Sequence, residues 1–308
     1  MSDYHVPVML HECVEGLNID PTKVYVDVTF GGGGHTREIL KHLTTGKLVV
    51  FDQDPDAKKN ADEINDDRLI FCAANFRYLK RYLRLHGIKE VAGILGDLGI
   101  SSHQIDETSR GFSTRGDAPL DMRMAQSGTL SAKTLINEYE ESKLKSIFRL
   151  YGELTHPHKA ASLIVQARAS AEIETTVDLM NALRPMAPRG KENRFFAQVF
   201  QAIRIEVNEE LETLKEMIEQ GTEVLEVGGH FVIESYHSLE DRLVKNFFKS
   251  GNFEGTQEKD FFGNLIRPLK PTKSKPITAT PEEIALNRRA RSAKLRVAVK
   301  QPPLPKKK

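Results

Sequence analysis

Asp27-Val28-Thr29-Phe30-Gly31-Gly32-Gly33-Gly34-His35 is the stretch that decides the fold. Its four glycines follow an apolar run, Val24-Tyr25-Val26-Asp27-Val28, that reads as a buried strand. A helical pattern, Ile39, Leu40 and Leu43, comes after them. Strand, glycine loop and helix in this order form the device by which open α/β sheets bring backbone close to a nucleotide-like ligand. Glycine suits such a loop because a Cβ blocks positive φ and holds the ligand away.

Outward from the loop, strand patterns at 24–30, 47–52, 68–73 and 91–97 alternate with helix patterns at 35–43, 55–64 and 77–86. That alternation predicts a parallel sheet with helices on its faces. The pattern breaks at 106–128, which is rich in Gly, Ser, Asp and Arg and has no apolar period. A loop this long is functional or disordered. Three helix-like stretches follow, 131–150, 157–171 and 175–184, with no strand among them. Ile203, Val207, Leu211, Leu214 and Ile218 then recur at helical spacing, Phe231-Val232-Ile233 reads as a strand, and Leu295-Arg296-Val297-Ala298-Val299 as the last strand. The Pro/Lys stretch 268–276 reads as an extended linker. The expected organisation is a core in two parts, 1–105 and 201–308, around a helical insertion with a substrate loop at 106–200.

At 308 residues, 28% charged and 39% hydrophobic, the chain has the composition of a soluble globular protein. No apolar run approaches the roughly 20 residues of a membrane helix. The opening Met1-Ser2-Asp3-Tyr4-His5 lacks the order of a signal peptide. Two cysteines, Cys13 and Cys72, argue against a disulfide framework or a Cys-based zinc site and fit a reducing cytoplasm. His156 and His158 have no neighbouring Cys or acid set suited to a metal. Charge is uneven. From Asn264 onward there are 13 Lys and Arg against two Asp and Glu, whereas the rest of the chain has 31 against 41. A basic segment on an acidic body points to an anionic partner such as nucleic acid, although Lys306-Lys307-Lys308 reads as a solvated end.

The glycine loop fits Gly-x-Gly at Gly31 and Gly33, but the third glycine of the dinucleotide fingerprint falls on Thr36. Asp52, at the end of the second strand, has the offset at which an acid binds ribose hydroxyls. This serves NAD and S-adenosylmethionine equally. Asp27, two residues before the small Thr29, favours a methyltransferase. On these features alone dinucleotide binding stays open.

Nine motifs in order add a family resemblance. They are His5-Val6-Pro7-Val8-Met9-Leu10, Thr29 through His35, Phe51-Asp52-Gln53-Asp54-Pro55, Asp97-Leu98-Gly99-Ile100-Ser101-Ser102 and Arg110-Gly111-Phe112-Ser113. Then come Pro119-Leu120-Asp121-Met122-Arg123-Met124, Phe200-Gln201-Ala202-Ile203-Arg204-Ile205, His237-Ser238-Leu239-Glu240-Asp241-Arg242 and Arg289 through Arg296. Across nearly its whole length the chain resembles the MraW/RsmH family of bacterial 16S rRNA cytosine-N4 methyltransferases. One departure is Gly96, where a larger apolar residue is expected and packing before Asp97 is expected to loosen.

The resemblance implies a Rossmann-like methyltransferase fold with a mostly helical insertion, S-adenosyl-L-methionine as cofactor and the small ribosomal subunit as partner. It implies a cofactor site of Gly33, Gly34, His35, Asp52, Phe76, Asp97 and Gln104. Cytosine N4 is a weak nucleophile, because its lone pair is delocalised into the ring, so the enzyme must align it, exclude water and accept a proton. Other amino-group methyltransferases carry Asp/Asn-Pro-Pro-aromatic after the fourth strand, where this chain has Asp97-Leu98-Gly99-Ile100. Candidates for the chemistry are Asp97, His237 and Glu240, while Ser238 with Asp241 also matches a helix-capping pattern. Candidates for the substrate are Asp121 and Arg123 in the long loop, Arg204, and Arg291 within the basic stretch Arg288–Arg296. Met122 and Met124 read either as core filler or as the wall of a substrate pocket.

Overall fold

The computed structural model describes residues 7–100, 107–125 and 128–303. His5, Val6, Ser101, Ser102 and Gln104, named above, lie outside the described residues, as do Lys306–Lys308. The chain divides into two compact units, Met1–Gly99 with Glu212–Lys308, and Ile100–Leu211. The insertion thus runs over 100–211 where the sequence pattern placed it at 106–200.

The first unit is built on seven strands: β1 (Val24–Asp27), β2 (Lys47–Asp52), β3 (Leu69–Ala73), β4 (Val91–Asp97), β5 (Leu225–Ser235), β6 (Leu269–Pro271) and β7 (Lys294–Lys300). They lie in the order β3-β2-β1-β4-β5-β7-β6. The first five are parallel, and β7 runs antiparallel to both β5 and β6. Alternate side chains enter the two faces: Tyr25, Ala92 and Leu95 join one core, Val26, Val91 and Ile94 the other. Burial on both faces explains why these strands read as continuous apolar runs.

Several elements depart from the sequence pattern. A helix that the pattern did not register, α1 (Leu10–Leu17), buries Cys13, Val14 and Leu17. Leu269–Pro271, in the stretch read as a linker, pairs with β7 as an edge strand, where proline is tolerated. Packing is close rather than loosened at Gly96, since a Cβ there would stand 3.2 Å from Val28 Cγ2.

The second unit is helical. Its helices α5 (Ala132–Glu138), α6 (Glu141–Leu150), α7 (Pro157–Ser170), α8 (Thr176–Leu183) and α9 (Glu192–Val207) enclose Leu135, Phe148, Ile164, Leu179, Val199 and Ile203. The stretch 131–150 is two helices, parted at Tyr139 and Glu140, which both adopt extended backbone. The periodicity of Ile203 through Ile218 is likewise divided, because Glu209 has φ 49 between α9 and the helix Glu210–Val224.

Candidate active site

The chain steps outward from β1 through β2 to β3, then returns to place β4 beside β1. Open α/β sheets bind ligands at this reversal, outside the carboxyl ends of the strands. Three aspartates end the strands there, Asp27 on β1, Asp52 on β2 and Asp97 on β4.

Asp27 is fully buried. Its Oδ1 accepts from the Thr29 N–H at 3.0 Å, and its Oδ2 accepts from the Thr36 hydroxyl at 2.8 Å. The carboxylate therefore ties the start of the glycine loop to the first turn of α2 (Gly34–His42). The chain has threonine where a dinucleotide fingerprint has glycine because that hydroxyl closes the brace. A bend at Val28 ends the strand at Asp27, short of the expected residue 30. Thr29 Oγ1 in turn accepts from the Asp97 N–H at 2.6 Å, joining the ends of β1 and β4.

Within the loop, Gly33 is left-handed at φ 76 and caps α2. Gly34 is glycine for space, since a Cβ would stand 2.3 Å from the Pro7 ring. A Cβ on Gly32 would meet nothing within 4 Å, so the loop faces open space on that side. Gly34, His35 and Thr36 open the helix, where backbone N–H groups lack intrahelical acceptors and favour an anion.

Asp52 secures the loop from β2. Its Oδ2 accepts from the Gly31 N–H and its Oδ1 from the Asp54 N–H, each at 2.8 Å. Burial pushes its pKa up to about 6, against the pull of those two bonds. The helix Pro55–Asp62 is capped by Asp54 rather than Asp52, which leaves Asp52 for the loop and a ligand. Phe76 opens a short turn after β3, half-buried beside the core, and Asn75 caps that turn and donates to Gln53 Oε1 at 2.9 Å.

His35 is turned inward, only 5% exposed, and burial lowers its pKa to about 4, so the imidazole is neutral. Its side chain lies with Cys13 and Glu234, ligand atoms within 4.8 Å of one another. Cys13 Sγ is 3.5 Å from Glu234 Oε2. Burial first, then neighbouring carboxyls, raises both Cys13 and Glu234, and Glu234 remains protonated at neutral pH. The three make a neutral, proton-bearing cluster in the core. The His35 backbone N–H lies in the first turn of α2.

Asp97 is partly open. It stays 24% exposed, with Oδ2 3.9 Å from His35 Nδ1 and Oδ1 accepting from the Tyr236 hydroxyl at 2.8 Å. Burial lifts its pKa to about 7, and the Tyr236 bond opposes the rise. Burial and the adjacent Asp97 raise the Tyr236 pKa, so the phenol keeps its proton and acts as a donor.

After β5 comes the helix α11 (Ser238–Ser250). Its capping box is His237 with Glu240, not Ser238 with Asp241 as the sequence suggested. The Glu240 carboxylate accepts from the Tyr236 N–H at 3.1 Å and the His237 N–H at 3.4 Å. His237 Nε2 lies 3.1 Å from Glu240 Oε1, and both side chains are more than nine-tenths buried. Asp241 instead pairs with Arg296 at 2.7 Å and Lys294 at 3.3 Å.

The substrate candidates separate. Asp121 and Arg123 hold each other through two bonds, at 2.8 and 2.7 Å, and Arg123 Nη1 also donates to the Gly128 carbonyl. Arg204 is clasped by Glu210 at 2.8 and 3.0 Å. Arg296 is taken by Asp241, whereas Arg288 and Arg291 are exposed. Met122 is fully buried in the insertion core, and Arg110 braces the loop by donating to the carbonyls of Arg123 and Met124. Thr29, Thr36, Glu234 and Tyr236 are site residues that the sequence reading did not single out. Asp27 had a signal in its spacing to Thr29, and Glu234 one as a charged residue within an apolar strand run, whereas Thr36 lies in the first turn of a helix and gives none.

This sheet order, glycine loop and trio of strand-end acids are those of an S-adenosylmethionine-dependent methyltransferase. The donor set suits that cofactor: open N–H groups for its carboxylate, and an acid 21 residues from Gly31 for its ribose hydroxyls. Residues 2–301 match the MraW methylase family, and the chain belongs to it. It is 55% identical to "Ribosomal RNA small subunit methyltransferase H" of Cytophaga hutchinsonii, over 97% of this chain and 100% of that one. The protein of the same name from Flavobacterium johnsoniae is 55% identical over 97% and 98% of the two chains. That from Bacteroides fragilis strain YCH46 is 52% identical over the same shares.

Proposed function

We propose that this protein methylates N4 of a decoding-centre cytidine in the 16S rRNA of the small ribosomal subunit. Support for the rRNA substrate comes from relatives of that name, alike over the full length. The observation that carries the chemistry is Asp97, an acid at the strand-end crevice, partly open, with a pKa near 7 and a phenol holding it in place.

S-adenosylmethionine supplies an electrophilic methyl group on sulfur. The backbone N–H groups of Gly34 and His35 would hold its carboxylate, with Gly33 turning the chain ahead of them and donating to the Phe30 carbonyl at 2.8 Å, Asp52 would accept from its ribose hydroxyls, and Phe76 would pack on its adenine. Gln104 belongs to this set on the family resemblance alone. Methylating an exocyclic amine releases one of its protons. The Asp97 carboxylate accepts from the N4 amino group, aims its lone pair and takes that proton, and a pKa close to working pH suits the task. The target base must leave its stack to reach this edge. His237 and Glu240 act by fixing the turn that carries Tyr236, and Arg291 by contacting a phosphate.

Mass spectrometry of 16S rRNA from cells with and without the gene tests the reading. The expected result is loss of one N4-methylcytidine; an unchanged nucleoside profile contradicts it.

A further inference from the structure

Two phenylalanines stand outside every core. Phe261 and Phe262 are 94% and 84% exposed, with ring centroids 5.6 Å apart and planes at 87°. They sit at the tip of a hairpin built to hold them out. Lys259 pairs antiparallel with Leu265, and Ile266 N–H donates to the Glu258 carbonyl at 2.9 Å. Asp260 Oδ1 accepts from the Phe262 and Asn264 N–H groups at 2.9 and 2.8 Å, and its Oδ2 accepts from Asn264 Nδ2 at 3.1 Å. Gly263 completes the turn at φ 85. Exposing two rings costs hydrophobic free energy, and an ordered turn that does so marks a contact site.

The surroundings indicate the occupant. Lys259 on the hairpin and Lys270, Lys273 and Lys275 in the segment after it are exposed, against exposed Glu254 and Glu258, so the exposed charge from 254 to 275 is positive. Protein interfaces are depleted in lysine at their centres, whereas aromatic rings among lysines are the means of holding unpaired nucleic-acid bases against a phosphate backbone. Position fixes the scale. α11 begins beside the end of β5 and, at 13 residues, runs about 20 Å before the hairpin. Leu269, just past the hairpin, pairs with Lys300 at the far end of β7, opposite the edge that carries Asp97. A large folded RNA is able to span both places.

We propose that the Phe261–Phe262 hairpin is a second rRNA contact, stacking on unpaired bases of the small ribosomal subunit at a distance from the reacting cytidine. The inference rests on the rRNA reading above. Binding of small ribosomal subunits to wild type and to the double variant Phe261→Ala/Phe262→Ala tests it. Stacking predicts at least about tenfold weaker binding. The same factor should hold across salt concentrations, because no phosphate contact is lost. KM for subunits should rise with kcat unchanged. S-adenosylmethionine affinity and Tm should stay at wild-type values, because both rings are solvated. Phe261→Tyr/Phe262→Tyr should restore binding, and Phe261→Leu/Phe262→Leu should not. Equal binding by wild type and the alanine variant overturns the proposal, as does full activity with leucine. Loss of self-association, or of adhesion to anionic vesicles, with subunit binding intact would assign the hairpin to another partner and overturn it too. Failure of wild type to bind subunits would instead bring down the rRNA reading and this inference together.

Discussion

The two ends of the strand-end crevice are built from different materials. At β1 and β2 the site is main chain: N–H groups at the start of α2, held in place by Asp27 and Asp52. At β4 and β5 it is side chain: Asp97, Tyr236, and the His237–Glu240 cap beneath them. The first kind of site needs glycines and close spacing along the chain. The second needs partners brought together by the fold, and Asp97 and Tyr236 are 139 residues apart. Cofactor binding and chemistry should therefore respond separately to substitution.

The largest expected effect is on the chemical half. Asp97→Asn keeps an acceptor oxygen for Tyr236 but cannot take a proton, so kcat should fall by about a hundredfold or more. Single-turnover methylation with saturating cofactor reads this, and an unimpaired rate would remove Asp97 from the reaction. On the cofactor half, Asp52→Ala should weaken S-adenosylmethionine by at least about tenfold, the worth of a charged hydrogen bond. Titration calorimetry checks it, and single-turnover rates at saturating cofactor should stay close to wild type. If both substitutions damaged both readouts alike, the division between the halves would collapse.

Smaller effects sharpen the contrast. Burial lifts Asp97 to about 7, so the proposed role of its carboxylate as proton acceptor predicts that kcat rises with pH through that region. The Tyr236 bond stabilises the charged form, so Tyr236→Phe should move the rising limb to higher pH while leaving the alkaline plateau in place. A profile that does not move would show that the phenol does not tune Asp97. Smallest is the effect of the interior cluster on stability. Glu234 has its pKa raised by burial, so it stabilises the fold fully only below its unfolded value near 4.5 and progressively less as pH climbs. Glu234→Gln should raise Tm at pH 8 and change it little at pH 4, as thermal melts at the two pH values would show.

The same contrast explains what could be read from the sequence. The loop at 31–34 and its tie to the acid at 52 are legible because that contact lies in local backbone geometry and a fixed offset along the chain. β1 to β4 are legible because both faces are buried. The role of Thr36 was hidden, since a missing glycine says nothing of a hydroxyl's partner at Asp27. His237 with Glu240 was passed over for Ser238 with Asp241 because serine is the commoner cap, and the claim of Arg296 on Asp241 lies 55 residues away. Arginines show the limit most clearly. Arg123, Arg204 and Arg291 look alike as letters, yet the first two are engaged by Asp121 and Glu210, and Arg291 is the one left exposed.

The most direct test of the central claim uses purified protein, small ribosomal subunits from cells lacking the gene and S-adenosylmethionine carrying an isotope-labelled methyl group. Nuclease digestion and mass spectrometry then show which nucleoside holds the label. The account predicts a single labelled product, N4-methylcytidine, at one position of the 16S rRNA. Label on a ring carbon, on another base or on ribose would contradict it, as would subunits that take up no label from an enzyme that binds its cofactor.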